Sequence, residues 1–467
     1  MIDPLRRRLL GATAGAAGLA LAPWRVLAAT LGYPRLQQGP MIGDTGPRHL
    51  TIWGRANGPY PIAFQYSKDR EFAAPLTSPA VATDAAGDFT AAVRIDGLEP
   101  GTTYWYRPLV DGVVDRYQSV PVAVRTAPAG AADFRVAFGS CARLARDPVQ
   151  RIFDSVVREA PDLFLWLGDN VYADSEAPEA IADEYRRQRK VASLAPLNRS
   201  VSQLAIWDDH DFGYNNSDGT SPFKAGSLAT FRNYWANPAY GLPDTPGVFF
   251  EKHFGGVDFF MLDGRYHRSP NGDPDGPRKQ FLGAAQNAWL RERLAASRAP
   301  FKIIACGSGW SMADGPAGDT WAAFRTERDA LFDFLRDARI EGVVLLSGDS
   351  HVGELNCIPW SERGGYDLYD LVSSPLAQSP STSWIDQQPE VRVRKVYAGG
   401  ANFGMLHFTP APEPTLTFTL FDEWGLMPWK PLVLTPADLR NGVSTWRERI
   451  DPAEMARRAT AGQSLPR

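Results

Sequence analysis

Between residues 30 and 127 the chain alternates short apolar runs with turn residues. The runs HLTIWGR, PIAFQYS, FTAAVRI, TYWYRPLV and VPVAVRT are separated by NG, AAGD, EPG and DG. Runs of this kind, broken by Gly, Pro and Asp, predict an all-β domain. The stretch TAPAGAAD (126–133) reads as a linker. From Phe134 the pattern changes. Near-continuous apolar segments at 134–138, 163–167, 204–207, 257–262, 301–306 and 343–347 predict strands buried on both faces. Between them, Val149, Ile152, Phe153, Val156 and Val157 share one helical face, with Asp147 placed to cap the helix and Pro148 in its first turn. Leu331, Phe334, Leu335 and Ala338 repeat that spacing. The expectation is an α/β layered core over 134–440, then a C-terminal tail, 441–467, with no internal repeat.

Residues 1–29 carry a third pattern. Arg6, Arg7 and Arg8 precede an apolar run from Leu9 to Ala22, and Ala28 and Ala29 close it. This predicts an export signal of the twin-arginine type, read by the export machinery. The run is too short and too rich in Gly and Ala to span a bilayer comfortably, and no later segment is long and apolar enough. A periplasmic or secreted protein with no permanent membrane span is expected.

Composition narrows the function. A chain of 467 residues is long enough for two domains. Lys and Arg total 49 against 53 Asp and Glu, so no basic excess marks nucleic acid as the partner. Three cysteines exclude a disulfide framework and leave only a Cys306–Cys357 pair open. Six histidines exclude a His-rich metal site but not a carboxylate-rich one. A monomer is expected.

The candidate chemistry lies where strands end. The apolar segments run into GSCAR (Cys141), GDNVYAD (Asp169, Tyr172), DDHDFGYNN (Asp208, Asp209, His210, Asp211), DGRYHR (Asp263, Arg265), GSGW (Ser308) and GDSH (Asp349, His351). Ligands in α/β folds collect beyond the carboxyl ends of strands, so these clusters can converge. Several carboxylates in one dehydrated pocket repel one another, and cations resolve that conflict by keeping them ionised. A thiolate and a phenolate beside Asp and His suit Fe(III), and surplus carboxylates suit a hard cation such as Ca²⁺. A zinc site would draw on more His or Cys. His49, His253, His267 and His407 are expected not to be ligands.

These motifs resemble a known family. VRIDGLEPGTTYWYRPLVDG looks like the end of a fibronectin III or Ig-like sandwich. GDNVY is similar to the GDxxY element of the iron-containing purple acid phosphatases. GDSH stands where they have GHxH, DDHD where they have GNHE, and Cys141 where they have an Asp. With LDGRYHR and NFG (402–404), this set resembles the PhoD-like alkaline phosphatases and phosphodiesterases, whose core is that of the calcineurin-like metallophosphoesterases. The resemblance implies that Cys141, Asp169, Tyr172 and His351 bind Fe(III). It implies that Asp169, Asp209 and Asp349 hold a second cation, Ca²⁺, with Asp208 and Asn216 as further calcium-site or supporting residues. His210 would face the leaving-group oxygen as proton donor or transition-state stabiliser, and Arg265 would orient phosphate or brace the metal loop. Two elements depart from the pattern. IIACGSGW lacks the VxxH histidine of the purple acid phosphatases, and the tail is no clear match to the family's C-terminal helix.

The reading is a secreted metal-dependent phosphoesterase, in which a metal-bound hydroxide attacks a phosphodiester or phosphomonoester substrate. Two alternatives stand beside it. One is a surface-binding protein with a degenerate phosphoesterase core. The other is a thiol hydrolase with Cys141 as nucleophile and His210 as its base.

Overall fold

The computed structural model describes residues 32–311, 318–383, 385 and 391–460. The export signal expected at 1–29 lies outside them. Among the described residues no helix is long and apolar enough to cross a membrane.

The first six principal strands are β1 (Leu36–Gly46), β2 (His49–Ala56), β3 (Ile62–Ser67), β4 (Thr90–Asp96), β5 (Thr103–Val110) and β6 (Val122–Arg125). All pair antiparallel, in one sheet ordered β1-β2-β4 and a second built on β3-β5-β6. Along β4 the side chains alternate: Ala91, Val93 and Ile95 are buried, while Ala92, Arg94 and Asp96 are exposed. That period of two buries one face of each sheet around Ile52, Phe64, Val93 and Tyr106. The five apolar runs read from sequence all form strands. The 11-residue β1, bent by register shifts along its pairing with β2, was not among them.

Twelve further principal strands make the larger unit. They are β7 (Phe134–Gly139), β8 (Leu163–Leu167), β9 (Ser202–Ile206), β10 (Phe250–Phe254), β11 (Val257–Met261), β12 (Lys302–Ala305), β13 (Val343–Ser347), β14 (Glu354–Ile358), β15 (Leu368–Val372), β16 (Asn402–Thr409), β17 (Thr415–Asp422) and β18 (Leu432–Leu434). They form two six-stranded mixed sheets, ordered β9-β8-β7-β16-β17-β18 and β10-β11-β12-β13-β15-β14. β7, β8 and β9 run parallel, as do β11, β12, β13 and β15. The helices are α1 (Ile152–Arg158), α2 (Pro178–Gln188), α3 (Leu194–Ser200), α4 (Asp209–Phe212), α5 (Lys224–Tyr234), α6 (Ala284–Ala296), α7 (Arg325–Asp337) and α8 (Pro452–Thr460).

The two sheets face each other. Phe134 stacks on Phe408 at 4.8 Å and meets Phe254 of the other sheet at 5.1 Å. The outer faces carry helices: Phe164 and Trp166 meet Phe153 of α1, and Phe260 meets Trp289 of α6. The inner parallel strands β8, β9, β12 and β13 are therefore buried on both faces, which is why the sequence shows continuous runs there. The expected segments all form strands, and the layered α/β core holds two facing sheets. The sequence did not expose β10, β14 and β15, nor the antiparallel return through β16, β17 and β18.

One local expectation is corrected. Asp147 does not cap α1. Its carboxylate accepts from the Val149 and Gln150 N–H groups, turning the chain ahead of a helix that starts at Ile152, and Val149 is exposed. The tail contains a docked helix: in α8 the Glu454 carboxylate pairs with Arg458 at 3.0 Å, and Arg458 donates to the Arg392 carbonyl at 2.7 Å.

The N-terminal sheets are tied to the core by buried polar contacts. Asp44 N–H donates to the Ala236 carbonyl, and its carboxylate lies 2.5 Å from Lys252 Nζ and 2.8 Å from His49 Nε2. Trp53 Nε1 donates to the Asn233 carbonyl, and Asp88 takes Arg55, Arg186 and Tyr234 together.

Candidate metal centre

The parallel strands end on one side of the two sheets, and the turns after them converge. β7 leads to Cys141, β8 to Asp169, β9 to Asp208 and Asp209, and β13 to Asp349 and His351. The turns are laced together. Cys141 N–H donates to the Gly168 carbonyl, Ala142 N–H to the Asp169 carbonyl, Asp349 N–H to Ser140 Oγ and His351 N–H to Ser374 Oγ. Cys141, Asp169, Asn216, Asp349 and His351 all have left-handed backbone, with φ between 51° and 65°. Gly168 makes this approach possible. Its φ is +91°, and a Cβ there would lie 2.6 Å from Asp208 Cβ.

Two groups of donors share one residue. One ligand atom from each of Cys141, Asp169 and His351 lies within 4.8 Å of the other two, and the same holds for Asp169, Asp209 and His210. Tyr172 Oη donates to Asp169 Oδ2 at 2.9 Å and sits 3.3 Å from His351 Nε2. Cys141 Sγ is 3.6 Å from the same Asp169 oxygen. The Asp349 charge acts on Cys141 and Asp169, so it borders both groups. His210 lies against the Tyr172 ring at 4.2 Å, and its Nδ1 is 2.6 Å from Asp174 Oδ1. Asn216 is exposed. Only its backbone N–H reaches the cluster, donating to Asp209 Oδ2 at 2.6 Å.

Burial and crowding of like charge set the electrostatics of the cluster. Burial, then the neighbouring Asp209 and Cys141, push Asp169 well above the carboxylate range. Burial and the Asp208 and Asp209 charges do the same to Asp349. Burial pushes the Cys141 thiol up to about 12 and lifts the Tyr172 phenol too. Burial also lowers His351, which keeps it a neutral donor. Burial resists ionisation of Asp209 as well, yet the Arg265 and His210 charges and the Asn216 N–H hold it at about 2. Thiol, phenol and carboxylates raised together in one dehydrated pocket form a donor set that multivalent cations would ionise and satisfy. The residues present therefore fit metal ions. The same facts disfavour the thiol-hydrolase reading, since a fully buried thiol raised to about 12 is the opposite of an activated nucleophile.

Beneath the cluster lies a buried charged layer. Arg265, fully buried, donates through Nε to Asp208 at 2.5 Å and through Nη1 and Nη2 to Asp319 at 2.8 and 2.6 Å. Arg268 joins Asp319 at 2.6 Å, and Ser308 accepts from both arginines. Arg265 also donates to the Ser217 carbonyl at 3.1 Å. Its donors face inward to carboxylates, so none is left for a substrate phosphate. Asp208 is correspondingly engaged by Arg265 and by the α4 N-terminus. Asp263 accepts from the N–H groups of Val248, Arg265 and Tyr266 and from Trp207 Nε1, which makes it an anchor of the fold. Asp211 ties the β8 and β9 turns through the Asn170 and Asp208 N–H groups, and burial raises it to about 7.

The four remaining histidines have protein partners: Asp44, Asp258, the Pro246 carbonyl and Asp133. Cys306 and Cys357 are free thiols, which closes the question of a disulfide. Sequence reasoning missed Asp319, Asp174 and Arg143. Asp319 follows a stretch with no periodicity, whereas Asp174 and Arg143 lie inside the quoted motifs and carried a usable signal in their nearness to Tyr172 and Cys141.

Two facing mixed sheets with donors at the strand ends define a metallophosphoesterase core. The fold is similar to that of a purple acid phosphatase from yellow lupin (Lupinus luteus) seeds, at a TM-score of 0.63, 12% identity, and coverage of 90% of this chain and 76% of that one. A solved structure of PhoD aligns with a TM-score of 0.70 at 17% identity, over 91% of this chain and 99% of that one. The PhoD-like phosphatase model matches residues 136–398, and the PhoD-like phosphatase N-terminal domain model matches 21–128. The chain belongs to the PhoD-like phosphatase family. Alkaline phosphatase D of Bacillus subtilis (strain 168) is 24% identical over 372 residues, 68% of this chain and 61% of that protein.

Proposed function

We propose that this protein is an exported, metal-dependent phosphoric ester hydrolase. The observation that carries the reading is the pair of donor groups sharing Asp169, with Asp169 and Asp349 raised by burial and mutual repulsion. Cys141, Asp169, Tyr172 and His351 would hold Fe(III), and Asp169, Asp209 and Asp349 would hold Ca²⁺. Metal ions of this kind bring water to reactivity near neutral pH and offset charge developing on phosphate. The chain's own residues do the rest. His210, steadied by Asp174 and the Tyr172 ring, hands a proton to the departing oxygen. Arg265 and Asp319 keep Asp208 and the β9 turn in place. Intact donors at every one of these positions argue against a degenerate core. The Arg6–Arg8 signal supports export to the periplasm or beyond, with phosphate esters as substrates and a monomer as the working form.

Metal analysis and a visible spectrum of active protein test this directly. Iron with a visible band is expected, because thiolate and phenolate donors to Fe(III) absorb visible light. Asp169→Ala should lose metal and abolish hydrolysis of bis(p-nitrophenyl) phosphate while keeping the fold. Active protein without iron or a visible band would remove Fe(III), and an active Asp169→Ala would remove the shared-carboxylate reading.

A further inference from the structure

We propose that Arg143 is the side chain that grips the phosphoryl group of a phosphomonoester, which makes it the determinant of monoester over diester turnover. The proposal rests on the phosphoesterase reading above and names a residue that the sequence motifs did not single out. A phosphate-binding cation has to face the metal donors and keep donors free. Arg265 and Arg268 fail on both counts, being fully buried and committed to Asp208, Asp319 and Ser308.

Arg143 meets both conditions. It lies two residues beyond Cys141, and its guanidinium carbon is 5.2 Å from the centroid of the Tyr172 ring. The hydroxyl of that ring stands between Asp169 and His351. The charge of Arg143 reaches His351 itself. Its side chain is 39% exposed, and its one side-chain hydrogen bond among the described residues is a long contact, 3.4 Å, to Asp174 Oδ2. Asp174 is itself 45% exposed and is engaged by His210 through its other oxygen, so it can release Arg143 at little cost. A guanidinium fork aims two parallel N–H donors, which can converge on a phosphoryl oxygen that the metal ions leave free. A monoester offers three unesterified oxygens and a diester two. The monoester therefore keeps an oxygen for the fork after metal ions have taken theirs, and it carries the larger charge.

The test uses full-length, metal-loaded protein with Arg143→Ala and Arg143→Lys. Inorganic phosphate affinity, read by titration calorimetry, should fall roughly 10–100-fold in Arg143→Ala, the worth of one charged hydrogen bond. The kcat/KM for p-nitrophenyl phosphate should fall alike. That for bis(p-nitrophenyl) phosphate should fall no more than about fivefold, the effect of a screened surface charge. Arg143→Lys, with charge but no fork, should lie between. Metal content should stay at the wild-type value. Unchanged phosphate affinity overturns the proposal, as does loss of metal with both esters impaired equally. Wild-type protein inactive on both esters would sink the phosphoesterase reading instead, and the phosphate titration would still decide on Arg143.

Discussion

His210 occupies two positions at once: within ligand distance of Asp169 and Asp209, and against Asp174. Its chemistry decides between proton donor and ligand. As a donor, His210→Ala keeps most of its metal and loses roughly 10²–10⁴-fold in rate on an alkyl phosphodiester. It loses far less on a nitrophenyl ester, whose leaving group departs unaided. Equal losses with depleted metal would make it a ligand. At this scale the sequence was informative about donors and poor about their partners. Cys141, Asp169, Tyr172 and His351 stood out because their types and spacing are chemically unusual. Arg265 drew attention for its charge, but a sequence cannot show that Asp319, 54 positions away, absorbs that charge.

The strand-end turns are the elements on which the cluster depends, and Gly168 is the tightest point among them. In Gly168→Ala the new Cβ would sit 2.7 Å from the Asp208 backbone nitrogen, on a backbone with φ of +91°. Overpacking costs roughly 1–3 kcal/mol and the strained conformation about as much again. The expected outcome is a lower urea midpoint together with weakened metal retention, because Asp208 and Asp209 move first. A variant with wild-type metal content would show that the turn yields without moving the donors. The strands feeding these turns were legible because each is apolar on both faces. β17 alternates plainly as TLTFTLFD, yet alternation identifies a half-buried strand and not its sheet. The pairing of β7 with β16 joins Phe134 to Phe408, hundreds of residues apart, so the closing of that sheet had no local signature.

For the whole molecule, the buried Asp44–Lys252–His49 contact fastens the N-terminal sheets to the core. Burial opposes ionisation of Asp44, but the His49 hydrogen bond and the Lys252 charge win, and its pKa falls below the ordinary 3.8. Its contribution is therefore complete above pH 3.8 and is lost as pH drops through the lower folded value. Asp44→Asn leaves Lys252 buried without its counter-charge and should cost roughly 3–5 kcal/mol at pH 7. Denaturant unfolding at pH 7 and near pH 3 should show the gap between wild type and variant shrinking at the lower pH. A gap that stayed constant would mean that Asp44 is not charged in the folded protein. Composition and the change of pattern at Phe134 announced two units. Their fastening was not legible, since it depends on single polar residues inside β1 and β10.

The left-handed turns carry a further consequence, for how the centre tolerates change. Asn, Asp and His are the side chains that accept such backbone most readily after glycine. They are also donors to hard and borderline cations. At Asp169, Asp349 and His351, a single choice of amino acid satisfies both the bend and the proposed ligand role. Cys141 is the exception, a donor in a bend that its type does not favour. Saturation mutagenesis across these positions should then be lopsided, with Val and Ile the worst tolerated everywhere because branching at Cβ penalises the bend itself. At Cys141 alone, Asp should relax the backbone while trading sulfur for oxygen, giving a protein more resistant to denaturant yet paler in the visible.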